Sequence, residues 1–188
     1  FCSRKSLWDY NEPTFHNTPS NYAYLRLADV YLAYAEALNE TGQKSEAYLW
    51  LNKVRNRVGL INMTDALLAR LQECKVLPDY PEAPSLGDKQ LREEILDERA
   101  REFAFEEVRW FDMIRWKRKD IFTKDLKAIT IMPESGSLEV GNLRLLISEP
   151  TVEESRYWKM HFSQKWYLSA FHSNEINKGY GLIQNPGW

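Results

Sequence analysis

Apolar side chains recur at helical spacing between residues 24 and 41. They follow the i, i+4, i+7, i+8, i+11 pattern of one helix face: Leu27, Tyr31, Tyr34, Ala35 and Leu38. Gly42 follows this run, and glycine at that point is a common helix stop because it tolerates a positive φ. The pattern therefore predicts a helix over 24–41 with this face buried.

A second apolar stripe, Ala47, Leu51, Val54 and Val58, predicts another helix over 44–58 that ends at Gly59. The short connection between the two helices favours an antiparallel αα-hairpin. This stretch resembles one tetratricopeptide unit, although no second copy follows at a fixed period. A single unit cannot bury both of its faces, so we expect other helices to cover it.

The longest periodic segment runs from residue 88 to 117 and predicts one continuous helix. Its apolar positions keep a helical spacing along the whole segment: Leu96, Ala100, Phe103, Ala104, Val108, Phe111 and Ile114. Because its second half is aromatic on most sides, we expect a central packing helix. Ser85, three residues before Asp88, fits an N-cap arrangement.

The remaining segments are shorter. The chain between Thr64 and Lys75 predicts a short helix, and Ile129–Met132 and Leu143–Ile147 predict short strands. The C-terminal region is expected to be irregular, with a turn at Asn185-Pro186-Gly187.

Composition excludes several classes of protein. Of 188 residues, 44% are hydrophobic and 28% charged, which is typical of a globular domain, and a net charge of −2 gives no general attraction to nucleic acid. No apolar run reaches the length of a membrane span. Cys2 and Cys74 do not form a disulfide framework, and His16, His161 and His172 are too scattered for a metal site. We therefore expect no metal, and no glycine-rich phosphate loop is present.

Carboxylates are the only candidates for catalysis, and they cluster along the third predicted helix at Glu93, Glu94, Asp97, Glu98, Glu102, Glu106 and Glu107. A glycosidase needs two carboxylates flanking one bond. The alternative is a solvated, ion-paired helix face, including an Asp97–Arg101 pair, and this alternative is favoured. We therefore predict no catalytic residue and no enzymatic activity.

Aromatic residues make up 13% of the chain, and four of those in loop-like or poorly periodic chain are candidates for ligand binding. These are Trp8, Tyr10, Trp158 and Trp166. An exposed aromatic ring stacks well on the apolar face of a sugar, so these residues are the candidate ligand contacts. The alternative is that each ring is partly buried in a core.

Four segments together carry a family resemblance. They are LRLADVYLAYAEALNETG (25–42), LNKVRNRVGL (51–60), LREEILDERAREFAFEEVRWFDMIRWKR (91–118) and an ending with NEIN and QNPGW (174–188). In this order they resemble the C-terminal half of the SusD/RagB family. The chain departs from the family pattern at Glu107, where many relatives have glycine, and at Ala170 and His172, where relatives have prolines.

The resemblance implies a mainly α fold, a tetratricopeptide-like α-α superhelix with an irregular C-terminal part. Residues 1–188 are then expected to form the C-terminal domain of a longer protein, whose lipidated cysteine and first helix pairs precede Phe1. The implied function is binding of nutrient glycans or peptides at the cell surface and their delivery to a TonB-dependent, SusC-like outer-membrane transporter. Only the lipid anchor would contact the membrane, and the resemblance implies that no cofactor is bound. The alternative from another functional class is a tetratricopeptide-like scaffold that binds a protein partner.

Overall fold

A computed structural model describes residues 24–73, 87–124, 128–133, 143–148 and 161–188. Its elements are α1 (Leu27–Glu40), α2 (Lys44–Arg57), α3 (Asp65–Gln72), α4 (Lys89–Glu102), α5 (Val108–Arg115), α6 (Lys119–Phe122), β1 (Ala128–Pro133), β2 (Leu143–Ser148), a 3₁₀ turn (Gln164–Tyr167) and α7 (Ser173–Ile176). The predicted mainly α fold is confirmed. Two units are distinguished, Phe1–Asp112 and Met113–Trp188.

Helices α1 and α2 form the predicted hairpin. Helix α1 ends where Gly42 takes a φ of +80°, and the N–H of Gln43 then donates to the carbonyl of Leu38 at 2.8 Å. This bond satisfies a carbonyl that the end of the helix leaves without an intrahelical partner. The chain reverses within three residues, and α1 packs along α2 and also against α4.

The core of the first unit lies where α1, α2 and α4 meet. Its buried side chains include Leu32, Ala35, Leu38, Ala47, Leu51, Val54, Met63, Leu68, Leu91, Ile95 and Phe103. Burial of one such large aliphatic or aromatic side chain contributes about 1.5–3 kcal/mol. The predicted face of α1 was partly wrong, because Leu27 and Tyr34 are exposed and Leu32 occupies the centre. Helix α1 is apolar on two sides, so spacing alone did not identify the buried side.

The predicted continuous helix over 88–117 was wrong. Helix α4 ends at Glu102, and Phe105 and Glu107 take φ values of +67° and +64° before α5 begins at Val108. Right-handed helices require a φ near −60°, so these left-handed residues break the helix. The side chain of Phe103 is 2% exposed, whereas that of Phe111, on the far side of the break, is 62% exposed. The second half of the segment is therefore not buried on most sides.

Side-chain caps mark the starts of α3 and α4. The Oδ1 atom of Asp88 accepts hydrogen bonds from the N–H groups of Gln90 at 2.8 Å and Leu91 at 3.1 Å, so Asp88 is the N-cap of α4. Thr64 caps α3 in the same way, through Leu67 at 3.3 Å. The predicted N-cap, Ser85, lies outside the described residues.

The second unit contains the two predicted strands. β1 and β2 pair antiparallel, with Ala128 opposite Ser148 and Pro133 opposite Leu143. Elsewhere in this unit the ring of Phe122 stacks on that of Phe162 at 5.2 Å between centroids, and Tyr167 contacts both rings edge-on. Among the described residues, no helix combines the length and the apolar character needed to cross a bilayer.

Candidate ligand-binding surfaces

Glu94, Glu98 and Glu102 of α4 are paired with arginines, but they are not a solvated face. Glu98 is 4% exposed, and its Oε2 accepts hydrogen bonds from Arg55 at 2.7 Å and from Arg101 at 3.0 Å. Glu93 and Glu94 are also buried. The predicted Asp97–Arg101 pair was wrong, because Arg101 turns toward Glu98. A buried charge requires such partners, so this arrangement joins α4 to α2.

Two further arginines enclose the end of α4. Arg26 donates to Glu102 and to Glu106, each at 2.9 Å, and its guanidinium lies 4.9 Å from the ring centroid of Phe103. Partial burial opposes the charged form of Arg26, but the hydrogen bonds to Glu106 and Glu102 raise its pKa above the ordinary value. Arg99 contacts the same ring and joins Asp29 to Asp112. These carboxylates therefore lie against arginines rather than in an open cleft.

Trp166 is the one predicted ligand residue that the structure describes, because Trp8, Tyr10 and Trp158 lie outside the described residues. Its half-buried ring meets the ring of Trp188 edge-on, with 4.9 Å between the centroids. The ammonium of Lys165 lies 4.5 Å from the Trp188 ring centroid and 5.5 Å from that of Trp166. Two indole rings and one cation therefore form a partly exposed cluster at the C-terminal end.

The QNPGW ending fixes this cluster through hydrogen bonds to residues 165–171. The Nε1 atom of Trp188 donates to the carbonyls of Lys165 at 3.1 Å and Leu168 at 2.9 Å. Asn185 donates to the carbonyl of Ser169, and Gln184 pairs with the backbone of Phe171. The N–H of Trp188 donates back to the carbonyl of Asn185, which confirms the predicted turn.

Gly187 lies in that turn with a φ of +89°, and a Cβ there would come 3.1 Å from the Cβ of Lys165. A side chain at this position would be strained by the backbone conformation and crowded by its neighbour. The close approach between Gly187 and Lys165 therefore depends on glycine.

A second aromatic surface lies on the α1–α2 hairpin, and the sequence analysis did not find it. We name Tyr31, Tyr34, Trp50 and Lys53 the hairpin aromatic face. The Trp50 centroid lies 5.2 Å from that of Tyr31 and 5.1 Å from that of Tyr34, and the Lys53 ammonium lies 3.5 Å from the Trp50 centroid. Sequence reasoning assigned Tyr31 and Tyr34 to the core stripe. The missed signal was Trp50 and Lys53, three residues apart and therefore on one side of α2.

Histidine provides no evidence for a metal centre in the described part of the chain. Nδ1 of His172 accepts the N–H of Asn174 at 3.2 Å and caps the short helix α7. Within the described ranges, no group of three or more potential ligands is arranged to hold a metal ion.

Similar proteins support the resemblance. The chain is 36% identical over 106 residues to SusD-like protein P25 of Formosa agariphila, an alignment that covers 56% of this chain and 17% of that protein. It is 31% identical over 105 residues to a SusD-like protein of Bacteroides ovatus, covering 54% of this chain and 15% of the relative. The chain therefore spans only a small part of the length of these relatives.

A solved structure is also similar. The crystal structure of a SusD-like protein from Bacteroides fragilis superposes with a TM-score of 0.62 at 28% identity, over 90% of this chain and 26% of that protein. The SusD family model matches residues 4–188. Since that match covers nearly the whole chain, this protein belongs to the SusD family.

Proposed function

We propose that the protein containing this chain binds nutrient glycans or peptides at the cell surface and delivers them to a TonB-dependent outer-membrane transporter. The observation that carries the proposal is the family match over residues 4–188. The full-length protein is then held on the outer face of the outer membrane by a lipid anchor, and residues 1–188 form its C-terminal domain.

Aromatic side chains are the proposed ligand contacts. Trp8, Tyr10, Trp158 and Trp166 offer rings that stack on the C–H faces of sugars. The arrangement around Trp166 supports this role, because its ring packs against Trp188, which is itself held by hydrogen bonds from its indole N–H. A ring held in place loses little conformational entropy when a ligand binds.

Catalysis is not part of the proposal. Glu98, Glu102 and Glu106 are held by arginines that join helices, so their hydrogen-bonding capacity is used within the protein. A glycosidase would require two carboxylates facing a sugar from opposite sides. We therefore propose that these carboxylates stabilise the packing of the helices. The proposed function requires no cofactor.

Isothermal titration of the full-length protein against a panel of oligosaccharides and peptides tests the binding role. We expect saturable binding to one class of ligand, weakened by Trp166→Ala and unchanged by Tyr180→Ala, a substitution at an exposed ring. If no member of the panel binds, the nutrient-binding function is wrong. Release of reducing sugar that disappears in Glu98→Gln would instead identify a hydrolase.

Copurification with the outer-membrane fraction tests the partner. We expect a large β-barrel transporter to copurify with the full-length protein after mild detergent extraction. Recovery of a different protein partner, with no transporter and no glycan binding, would favour the tetratricopeptide-like scaffold.

A further inference from the structure

The hairpin aromatic face combines three rings and one cation on two packed helices. Tyr31 and Trp50 are half-buried against the core of the first unit, whereas Tyr34 is 48% exposed. Rings held by a helical core keep one position, and a platform on helices is more precise than one on a loop. The face therefore offers fixed apolar surface next to exposed ring edges.

Lys53 provides the charge of this face. Its ammonium lies 3.5 Å from the Trp50 centroid and 5.1 Å from the Tyr31 centroid, while no carboxylate in the described part of the chain forms an ion pair with it. Arg57, one turn further along α2, donates to Glu102 at 2.6 Å, so its charge is already paired within the protein. Glu46 is one turn away from Trp50 in the other direction along α2. The charge in direct contact with the rings is therefore positive.

The tyrosine hydroxyls add polar groups at the edge of the face. Within the described part of the chain, neither the Tyr31 nor the Tyr34 hydroxyl forms a hydrogen bond. Each hydroxyl can both donate and accept a hydrogen bond, as can the hydroxyls of a sugar. Rings, hydroxyls and a cation together match a ligand that has a C–H face, hydroxyls and a negative charge.

From this combination we propose that the hairpin aromatic face binds an anionic pyranose unit, a sugar ring that carries a carboxylate or a sulfate. The C–H face of the sugar lies on the exposed ring of Tyr34, which meets Trp50 edge-on, and its anionic group pairs with the ammonium of Lys53 beside Trp50. In the unliganded protein this ammonium lies over Trp50, a favourable cation–π contact. An anionic ligand adds a charge-assisted hydrogen bond to this ammonium. The inference rests on the proposed glycan-binding function and names a second surface and a ligand class for it.

Titration of the full-length protein with three probes tests the proposal: trigalacturonate, its neutral methyl ester and a sulfated carrageenan oligosaccharide. We expect at least one anionic probe to bind more tightly than the neutral ester, and we expect binding to weaken as salt is added. The probe that binds identifies the anionic group as carboxylate or sulfate. Lys53→Met, which keeps most of the apolar stem, should weaken binding of that probe by about three- to ten-fold.

Matched controls separate this surface from the rest of the protein. Lys89→Met removes another exposed lysine, and Tyr180→Ala removes an exposed ring of the second unit. Neither should change the affinity, whereas Tyr34→Ala should weaken binding. Equal affinities of wild type and Lys53→Met for both anionic probes would overturn the proposal. Binding of neutral oligosaccharides or peptides alone would also overturn it while leaving the proposed function intact, and a wild-type protein that binds neither a glycan nor a peptide would remove both.

Discussion

The side-chain amide of Gln184 pairs with the backbone of Phe171 as a neighbouring β-strand would. The N–H of Phe171 donates to Oε1 of Gln184 at 2.9 Å, and Nε2 of Gln184 donates to the carbonyl of Phe171 at 3.0 Å. One side chain therefore satisfies both backbone polar groups of a residue in irregular chain, where no strand does so.

Gln184→Ala should release this pair. Each hydrogen bond contributes about 0.5–1.5 kcal/mol, so the N–H of Phe171 should exchange with solvent markedly faster. Amide hydrogen exchange followed by NMR measures the change. Gln43→Ala, which removes an exposed hydrogen bond to Thr41 in the α1–α2 connection, is the control and should leave exchange at Phe171 unaltered. Unchanged exchange in Gln184→Ala would show that the pair does not protect the backbone.

Phe103→Ala should lower the free energy of unfolding by about 3–5 kcal/mol, because it leaves a cavity in the core and removes the ring that Arg26 and Arg99 contact. Phe111→Ala, the same substitution at an exposed ring, should lower it by about 0.5 kcal/mol or less. Urea denaturation of the two variants gives the comparison. Similar losses in both would contradict the burial difference between them.

Glu107→Gly should raise the free energy of unfolding by about 0.5–1 kcal/mol, because glycine adopts the observed φ of +64° without the strain imposed by a Cβ. Thermal unfolding of the variant tests this. Ala37→Gly, in an exposed position of α1, should have the opposite effect of about 0.5–1 kcal/mol, since glycine weakens a helix interior. A destabilised Glu107→Gly would mean that the glutamate side chain contributes more than the strain costs.

Lys44 joins three helices through carboxylates at their ends, with its Nζ 2.5 Å from Asp65 and 2.6 Å from Asp88. Partial burial opposes the charge of Lys44, but hydrogen bonds with both aspartates raise its pKa. For Asp88, burial acts against ionisation, yet the hydrogen bond from Lys44 lowers the pKa overall. A separate hydrogen bond from Lys44 is the largest cause of the lowered pKa of Asp65. Tyr48 donates to Asp65, and its own pKa is raised to about 12, first by burial and then by this hydrogen bond.

The pKa shifts of Lys44, Asp65 and Asp88 define the pH range over which their ion pairs stabilise the fold. A carboxylate with a lowered pKa contributes stability above its unfolded pKa of about 3.9, and that contribution is lost as the pH falls through the folded pKa. A lysine with a raised pKa contributes fully below about pH 10.4, and its contribution is lost as the pH rises through the folded value.

Lys44→Met should therefore be less stable than wild type at pH 7, and the difference should shrink at pH 3. Urea denaturation at the two pH values measures it. Lys53→Met, whose ammonium contacts rings rather than carboxylates, should follow the wild-type pH dependence. A Lys44→Met difference that persists unchanged at pH 3 would exclude the ion pairs as its source.

Local patterns identified most elements but not which side of each was buried. Periodicity located α1, α2 and both strands because the apolar pattern that marks each element lies within one short stretch of sequence. It missed the break after Glu102, since no glycine or proline marks it and the positive φ values fall on Phe105 and Glu107. Such a conformation depends on surrounding contacts, among them the hydrogen bonds from Arg26, 80 residues away in the sequence, to Glu106.

The two candidate ligand surfaces were also only partly predictable from local sequence patterns. Trp166 was identified because it lies outside the periodic segments, but its pairing with Trp188 depends on a turn 20 residues further on. The hairpin aromatic face was missed because Tyr31 and Tyr34 follow a helical apolar spacing, as core residues also do. Only the position of α2 places Trp50 between them. Distinguishing a core position from a surface position here requires knowing which side of α1 is covered by α4.

The buried charges around Glu98 have a consequence for how this sequence can change. Glu98 accepts hydrogen bonds from Arg55 and Arg101, and Arg55 also donates to the carbonyl of Ile61. Loss of one member of a buried pair costs about 3–5 kcal/mol, whereas replacing a whole pair by apolar residues is often tolerated. Strong epistasis is therefore expected: the effect of a substitution at residue 55 depends on the residue already present at 98. A variant in which residues 55 and 98 are both replaced by apolar residues can then be stable, although each single replacement is strongly destabilising.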